Sequence, residues 1–279
     1  MNRLFLTSSL LLAAALCGRA IAQDGYAMRC NGSTDYLLAD AHNSTTNNFT
    51  MEAWIYPTAS HEIDAEPGEQ YGGMKGQRYV IYPTHGAAWG TGHAGAGFSA
   101  GTNGVSVYEH AGNYIPAVLT YEAPISGWTH VAVVYRDGAP DLYINGKLVK
   151  SGTRSPMQFV HPSGGSSREK HWVMGGIGGG PFGYFEGSID NVRIWNTART
   201  SEQVQATMHK APASAPGLAL SYDMNRSGEG QGLEVANTVK KSLAGITVGT
   251  RTTPVFEQII TPTTGSGASQ GGTLSTDLK

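Results

Sequence analysis

Residues 141–149 carry a strong sequence signal for antiparallel β-structure. Apolar and polar side chains alternate on both sides of the dipeptide Asn145-Gly146. Asn-Gly favours the two-residue turn that joins neighbouring antiparallel strands, because both residues tolerate positive φ. The segment therefore predicts a β-hairpin.

Runs of β-branched and aromatic residues recur along the rest of the chain, separated by turn residues such as Asp137-Gly138. Such residues fit a pleated, half-buried surface, so each run predicts a strand. The predicted strands cover residues 49–57, 78–82, 105–108, 117–121, 127–136 and 184–195. Two stacked antiparallel sheets bury the apolar faces of so many short strands.

One segment, residues 201–209, has a helical pattern. Thr200 is a suitable N-cap, and Glu202 lies in the first turn. The fold class that follows is all-β, with two stacked antiparallel sheets and one short surface helix.

Three of these segments carry a family resemblance. Residues 49–57, 127–149 and 187–200 occur in the order and rough spacing of the laminin G-like, or concanavalin A-like lectin/glucanase, family of extracellular jelly-roll domains. Residues 31–36 resemble its opening turn, and residues 218–223 resemble a closing strand found in bacterial members. The resemblance covers most of the chain and implies a secreted, two-sheet antiparallel jelly-roll sandwich.

The N-terminal residues are typical of a secretory signal peptide. Arg3 precedes an apolar run, and Ala20-Ile21-Ala22 provides a small-residue cleavage site. The apolar run is shorter than the roughly 20 residues needed to span a bilayer. We therefore expect a protein that is exported, extracellular or periplasmic, and has no membrane span.

The net charge limits the possible binding partners, and the cysteine content limits the possible disulfides. Of 19 basic residues, Arg3 and Arg19 lie in the predicted signal peptide; the remaining 17, set against 21 acidic residues, give a net charge of −4. Such a surface does not attract nucleic acid. Cys30 is the one cysteine left after cleavage, so we predict no internal disulfide and a small buried residue at this position.

The chain divides into four parts. Residues 1–22 form the predicted signal peptide, and residues 23–210 the laminin G-like domain. Residues 211–260 contain further strands that either complete the sandwich or form an appendage. Residues 261–279 are rich in Thr, Gly and Ser, and they predict a disordered tail.

Asp190 is the first candidate site residue. With unbroken alternation, it shares a strand face with Val192 and Ile194, where a carboxylate needs a hydrogen-bond donor or a cation. The resemblance implies a structural calcium bound by Asp190, by backbone oxygens near Gly32, and by Asp35. The alternative is that Asp190 accepts backbone N–H groups and no cation is bound.

Glu62, Asp64 and Glu66 match the Glu-x-Asp-x-Glu spacing that β-glucanases of this fold use for acid and nucleophile catalysis. In this chain the motif lies between two Pro-containing segments and holds one strongly β-forming residue. A charged loop is therefore the favoured interpretation, and a glycoside hydrolase remains the alternative function.

Residues 83–95 and 108–114 form the predicted binding surface. Glycine-rich loops let the backbone approach a ligand, aromatic rings can stack on a sugar, and His or Glu can hydrogen-bond its hydroxyl groups. The predicted ligand-binding residues are His85, Trp89, His93, Tyr108, Glu109, His110 and Tyr114. A zinc site from His85, His93, Glu109 and His110 and a purely structural loop are the alternatives.

These observations favour a secreted, non-catalytic module that binds carbohydrate, or a glycosylated or extracellular matrix partner in adhesion. Two alternatives stay open besides it: the glycoside hydrolase, and a ligand-free spacer of a cell-surface assembly. The same architecture hosts all three classes.

Overall fold

The computed structural model describes residues 25–39, 45–67, 71–85, 90–112, 115–162, 175–241, 244–248 and 255–259. In chain order, the first ten strands are β1 Gly25–Asn31, β2 Tyr36–Ala39, β3 Phe49–Pro57, β4 Tyr79–Ile81, β5 His93–Gly101, β6 Gly104–His110, β7 Ala117–Glu122, β8 Thr129–Arg136, β9 Ala139–Ile144 and β10 Lys147–Ser151. The next ten are β11 Phe159–Pro162, β12 Gly175–Ile177, β13 Gly179–Gly180, β14 Gly183–Tyr184, β15 Glu186–Trp195, β16 Leu218–Tyr222, β17 Gly228–Glu229, β18 Glu234–Val235, β19 Gly245–Val248 and β20 Val255–Ile259. Helix α1 spans Ser201–Thr207, and a 3₁₀ turn spans Gly72–Met74.

Two large sheets form the sandwich and confirm the predicted fold class. The first sheet has the order β10-β9-β8-β3-β15-β1-β20-β17, with β16 beside β15. The second sheet has the order β18-β19-β2-β12-β4-β5-β6-β7, with β11 beside β5. Pairing is antiparallel except between β11 and β5, and β13 and β14 form a separate small pair. The main hydrophobic core lies between the two large sheets.

The strands beyond residue 210 take part in both sheets. β16 pairs with β15 and β20 pairs with β1 in the first sheet, while β19 pairs with β2 in the second. Of the two arrangements left open by the sequence, this region therefore completes the sandwich.

The predicted hairpin is confirmed as β9 and β10. Asn145 and Gly146 have φ values of 50° and 73°, as a two-residue turn of this type requires. The Asn145 side chain also accepts a hydrogen bond from the backbone N–H of His130 at 2.9 Å, which ties the turn to β8.

The predicted helix is confirmed as α1, with Thr200 as its N-cap. The Thr200 hydroxyl accepts from the Gln203 backbone N–H, and the Gln203 side chain accepts from the Thr200 N–H. This reciprocal capping box satisfies two of the N–H groups that a helix start leaves without partners.

Strand β15 contains one residue more than its neighbour β3 at Asn191. Asp190 pairs with Trp54, and Arg193 pairs with Glu52, so two residues of β15 lie opposite one residue of β3. Asn191 has a φ of 49°, a conformation that asparagine tolerates better than most residues. This β-bulge shifts the alternation of every side chain beyond it.

The predicted alternation through Asp190 is therefore wrong. Ile189, Val192 and Ile194 all belong to the core between the sheets. Asp190 points to the outer face of the first sheet, because Asn191 takes up the extra position. Burial nevertheless raises the pKa of Asp190 to about 7, although two hydrogen bonds from Asn191 favour the ionised form.

A buried polar group, here called the Glu52 cluster, lies on this outer face beneath the segment around α1. It consists of Glu52, His130, Arg193, Trp195 and Arg199. Glu52 Oε1 lies 3.3 Å from Arg193 Nη1 and accepts from Trp195 Nε1 at 3.0 Å. The Arg199 guanidinium lies 3.5 Å from the centre of the Trp195 ring. Packed polar side chains thus close the outer face at the end near α1.

In the part of the chain described here, no helix has the length and apolar character of a membrane span. The predicted signal peptide and the predicted disordered tail lie outside the described residues.

Candidate functional site

The outer face of the second sheet carries the closest group of predicted site residues. Along β6, Val105 and Val107 enter the core, so Tyr108 and His110 point outward. Period-two alternation of a strand produces this division.

Two glycines of β5 let another segment cross this face. A Cβ on Gly95 would lie 2.0 Å from the Thr84 backbone oxygen, and one on Gly97 would lie 2.4 Å from the Ile81 oxygen. Residues 81–85 therefore pack directly on the backbone of β5. This approach places His85 against His110, with ring centres 4.5 Å apart.

We expect Gly95→Ala to destabilise the fold and displace His85. The new methyl group would clash with backbone, which cannot move aside as a flexible side chain does. Thermal unfolding measures the loss. Gly112→Asn is the matched control, because nothing lies within 4 Å of its Cβ and asparagine tolerates the φ of 55° found there. Equal melting temperatures for the two variants would contradict the expectation.

Four rings meet at this place, and we call them the His110 cluster: Tyr82, His85, His110 and Phe182. The ring centres of Tyr82 and His110 are 6.1 Å apart, and those of Tyr82 and Phe182 are 6.2 Å apart. Phe182 and His85 are half-buried, whereas Tyr82 and His110 are buried. The cluster therefore exposes part of an aromatic surface that is held firmly from below.

His110 is neutral near physiological pH. Burial lowers its pKa to about 4, and the neighbouring His85 adds to that effect, while a hydrogen bond with the Pro83 backbone oxygen opposes it. A carbonyl oxygen accepts only, so Nδ1 donates to Pro83 at 3.1 Å. The Nε2 atom of the neutral ring is consequently an acceptor.

A second layer of tyrosines fixes the cluster on the sheet. Tyr79 and Tyr108 pack edge to face with ring centres 5.6 Å apart, and Tyr82 packs on Tyr79 in the same way. The Tyr108 hydroxyl donates to Asp64 Oδ2 at 2.5 Å. Tyr108 therefore supports the face from below and is fully buried.

The three carboxylates of the glucanase-like motif lie in a loop, as the favoured interpretation predicted. Asp64 accepts from Tyr108 and, at 3.2 Å, from Gln77. Glu66 lies 2.9 Å from Lys150 Nζ, and Glu62 is exposed. Asp64 thus attaches the loop to β6 of the second sheet, and Glu66 attaches it to Thr120 of β7 and to Lys150 of β10. The three groups do not line one strand face.

The structure describes Glu109 and His93, and neither is a member of the His110 cluster. Glu109 points between the sheets, where Tyr135 and Ser155 donate to its carboxyl group. His93 begins β5, two residues before Gly95, the partner of His110, and its Nδ1 atom lies 2.7 Å from His161 Nε2. Trp89 and Tyr114 lie outside the described residues. The proposed zinc ligands His85, His93, Glu109 and His110 are therefore not gathered in one place.

The predicted calcium ligands also occupy two places. Gly32 and Asp35 lie at the turn after β1, where Asp35 and Gly187 line the same pocket. Asp190 is three residues farther along β15, roughly 10 Å at the usual rise of a strand. Both of its carboxylate oxygens accept from Asn191. These three residues do not fit one calcium site.

No group of three His, Cys, Asp or Glu side chains is placed to hold a metal ion within the described ranges. Calcium bound at Asp190, or through backbone oxygens near Gly32, stays a prediction.

Sequence reasoning missed two members of the cluster. Tyr82 ends the predicted strand of residues 78–82, and Phe182 lies in a glycine-rich segment outside every predicted strand. The signal for Phe182 is a lone aromatic between glycines at a turn, a position where a large ring has no local packing role.

Comparisons with known proteins identify the family of this chain and solved structures with a similar fold. The sequence profile of the concanavalin A-like lectin/glucanases superfamily matches residues 31–205. Among curated proteins, no sequence matches the chain significantly.

Solved structures also resemble this chain. A Bacteroides ovatus ATCC 8483 protein, provisionally described as carbohydrate binding, is 21% identical with a TM-score of 0.53; the match covers 86% of this chain and 61% of that protein's length. Domain 4 of the Geobacillus stearothermophilus arabinanase AbnA, solved with arabinotriose, is 21% identical over 61% of this chain and 70% of that one, with a TM-score of 0.37. A heptameric pentraxin of Limulus polyphemus is 14% identical with a TM-score of 0.39; the match covers 68% of this chain and 86% of that one.

Proposed function

Because the chain belongs to the concanavalin A-like lectin/glucanase superfamily, we propose that it is a non-catalytic carbohydrate-binding protein. Its binding face is the His110 cluster on the outer face of the second sheet. The observation that carries the proposal is the contact of Phe182, Tyr82, His85 and His110 at the surface, over a buried layer of tyrosines.

The chemistry of the cluster suits a neutral sugar. The apolar C–H face of a pyranose or furanose ring can pack on the half-buried Phe182 ring, as aromatic side chains pack on other apolar groups. The neutral His110 ring offers an acceptor for a sugar hydroxyl, and His85 offers a second polar atom beside it. A rigid face also loses little conformational entropy on binding.

The carboxylates support a binding role over hydrolysis. A glycosidase needs two carboxyl groups that flank the bond to be cleaved. Asp64 and Glu66, by contrast, each form hydrogen bonds that attach a loop to the sandwich. The Bacteroides ovatus protein of the same fold, with its provisional description as carbohydrate binding, is consistent with this role.

Secretion is part of the proposal and rests on the N-terminal pattern of residues 1–22. N-terminal sequencing of the exported protein should begin near Gln23. Retention of Met1 would contradict it.

We expect Phe182→Ala to reduce retention on the bound glycan at least about tenfold, because one stacking contact is lost. A glycan microarray first identifies the ligand, and affinity electrophoresis in a gel containing it measures retention. Leu148→Ala, which removes an apolar side chain that is 52% exposed on β10, should leave retention unchanged. Thermal unfolding should show that both variants are fully folded at the assay temperature.

Two results would overturn the proposal. One is the absence of binding to any glycan on the array. The other is release of reducing sugar from a polysaccharide by the wild type and its loss in Glu62→Gln, which would establish the hydrolase instead.

A further inference from the structure

The outer face of the first sheet stays open at the end away from α1. Tyr56 pairs with Ser188, and Ser188 pairs with Arg29, so these three side chains form one row across β3, β15 and β1. Trp128 joins the row beside Tyr56, with ring centres 5.9 Å apart. Tyr56 is 41% exposed, the only tyrosine of a large sheet's strands in the described residues to expose so much of its surface.

A pocket of about 350 Å³ adjoins this row. Its walls include Thr58 and Glu186, which belong to the next row on the same face, together with Arg29 and Asn31. Thr58 is two residues beyond Tyr56 on the chain, so the pocket begins where the aromatic rings end. Rings and pocket together span about 14 Å across four strands at the usual spacing of strands.

Two ion pairs lie along this surface. Arg29 Nη1 lies 2.6 Å from Glu257 Oε1, and Glu186 Oε2 lies 2.9 Å from Arg78 Nη1. Asp35 adds a further carboxyl group to the pocket lining, so an anionic polysaccharide gains no net attraction here. The paired side chains still present hydrogen-bonding groups toward the pocket.

We propose that this surface, the Tyr56 strip (Tyr56, Trp128, Ser188, Arg29, Thr58 and Glu186), is a second glycan-binding site that takes a neutral β-linked glucose chain. In such a chain the hydroxyl groups are equatorial, so each ring has an apolar face that packs on an aromatic side chain and a polar edge. The exposed Tyr56 ring receives the apolar face of one sugar, and Trp128 packs against Tyr56 with the two ring planes at 69°. Thr58, Glu186 and Arg29 hydrogen-bond the polar edge of the next sugar.

The strip fits a glycan better than a protein partner. Two aromatic rings are followed at once by Ser, Thr, Arg and Glu side chains, whereas the centre of a protein interface is depleted of charged residues. The strip lies on the opposite sheet from the His110 cluster, so it binds whether or not that cluster does. A chain with both sites would join two glycan strands.

Fluorine NMR of the full protein labelled with 5-fluorotryptophan tests the strip, with cellohexaose as the probe. The Trp128 resonance, assigned by its absence in Trp128→Phe, should shift saturably as cellohexaose is added. Tyr56→Ala should weaken this response at least about tenfold, as loss of a stacking contact does. Tyr71→Ala, at a tyrosine that is 56% exposed elsewhere, should not change it. The buried Trp54 and Trp195 resonances report that each variant is folded.

The variants separate this inference from the proposed function. Phe182→Ala should leave the Trp128 response intact, because it alters only the second sheet. A Trp128 resonance that stays fixed at saturating cellohexaose overturns the inference even if the His110 cluster binds glycan. A resonance that instead shifts with protein concentration alone also overturns it, because the strip would then contact a second copy of the chain.

Discussion

Glu52→Ala should lower the free energy of unfolding by about 3–5 kcal/mol, the usual cost of leaving one member of a buried ion pair without its partner. Glu52 and Arg193 are both buried, and the carboxylate also accepts from Trp195. His130 does not replace the lost charge interaction, because burial lowers its pKa to about 4 and keeps its ring neutral. Denaturant titration at pH 7 measures the change.

Two further variants test whether the lost stability comes from the buried ion pair. Arg29→Ala breaks an exposed ion pair and should cost no more than about 1 kcal/mol. The double variant Glu52→Met with Arg193→Met should recover much of the lost stability, because matched apolar replacements avoid the uncompensated charge. A loss below about 1 kcal/mol in Glu52→Ala alone would show that the Glu52 cluster is not a significant source of stability.

Glu109→Gln should gain stability relative to the wild type as the pH rises. Burial raises the pKa of Glu109 to about 7, although hydrogen bonds from Ser155 and Tyr135 favour the ionised form. In the unfolded chain the group titrates near its ordinary value of 4.5. The stability that this carboxyl group contributes is therefore fully present below pH 4.5 and lost as the pH rises to about 7.

Glutamine cannot ionise, so the difference in unfolding free energy, variant minus wild type, should rise by about 3 kcal/mol across that window. Taking the difference cancels Asp190, whose raised pKa acts in the same direction, and buried histidines such as His110, whose lowered pKa acts oppositely. Tyr135→Phe removes one donor to Glu109 and should move the midpoint of the dependence to higher pH. A difference that stays constant from pH 4 to pH 8 would refute this account.

Local patterns predicted much of the fold. The hairpin around Asn145-Gly146 and strand β3 were predicted within about two residues, because turn chemistry and side-chain alternation are written in neighbouring residues. The capping box at Thr200 likewise lies within four residues of sequence. Family resemblance then supplied the jelly-roll topology, which no single segment specifies.

The candidate site depended on contacts that no local pattern contains. The bulge at Asn191 changes the face of Asp190, and it requires the register against β3 to be known. The approach of His85 to His110 depends on Gly95 and on a crossing segment. Glu109 is different: alternation with Tyr108 and His110 already places it on the opposite face of β6, so sequence alone could have excluded it.

The pairing of β1 with β20 has a consequence for how the protein is made. β1 starts at Gly25 and β20 ends at Ile259, so the first sheet joins the earliest and latest described strands side by side. Ribosomes synthesise the chain from its N-terminus, so β1 cannot pair with β20 until the strands between them have been made. Such distant pairing slows folding, because the loop-closure entropy is lost before the contact forms. A chain that stays open during synthesis is one that a translocation channel can still thread.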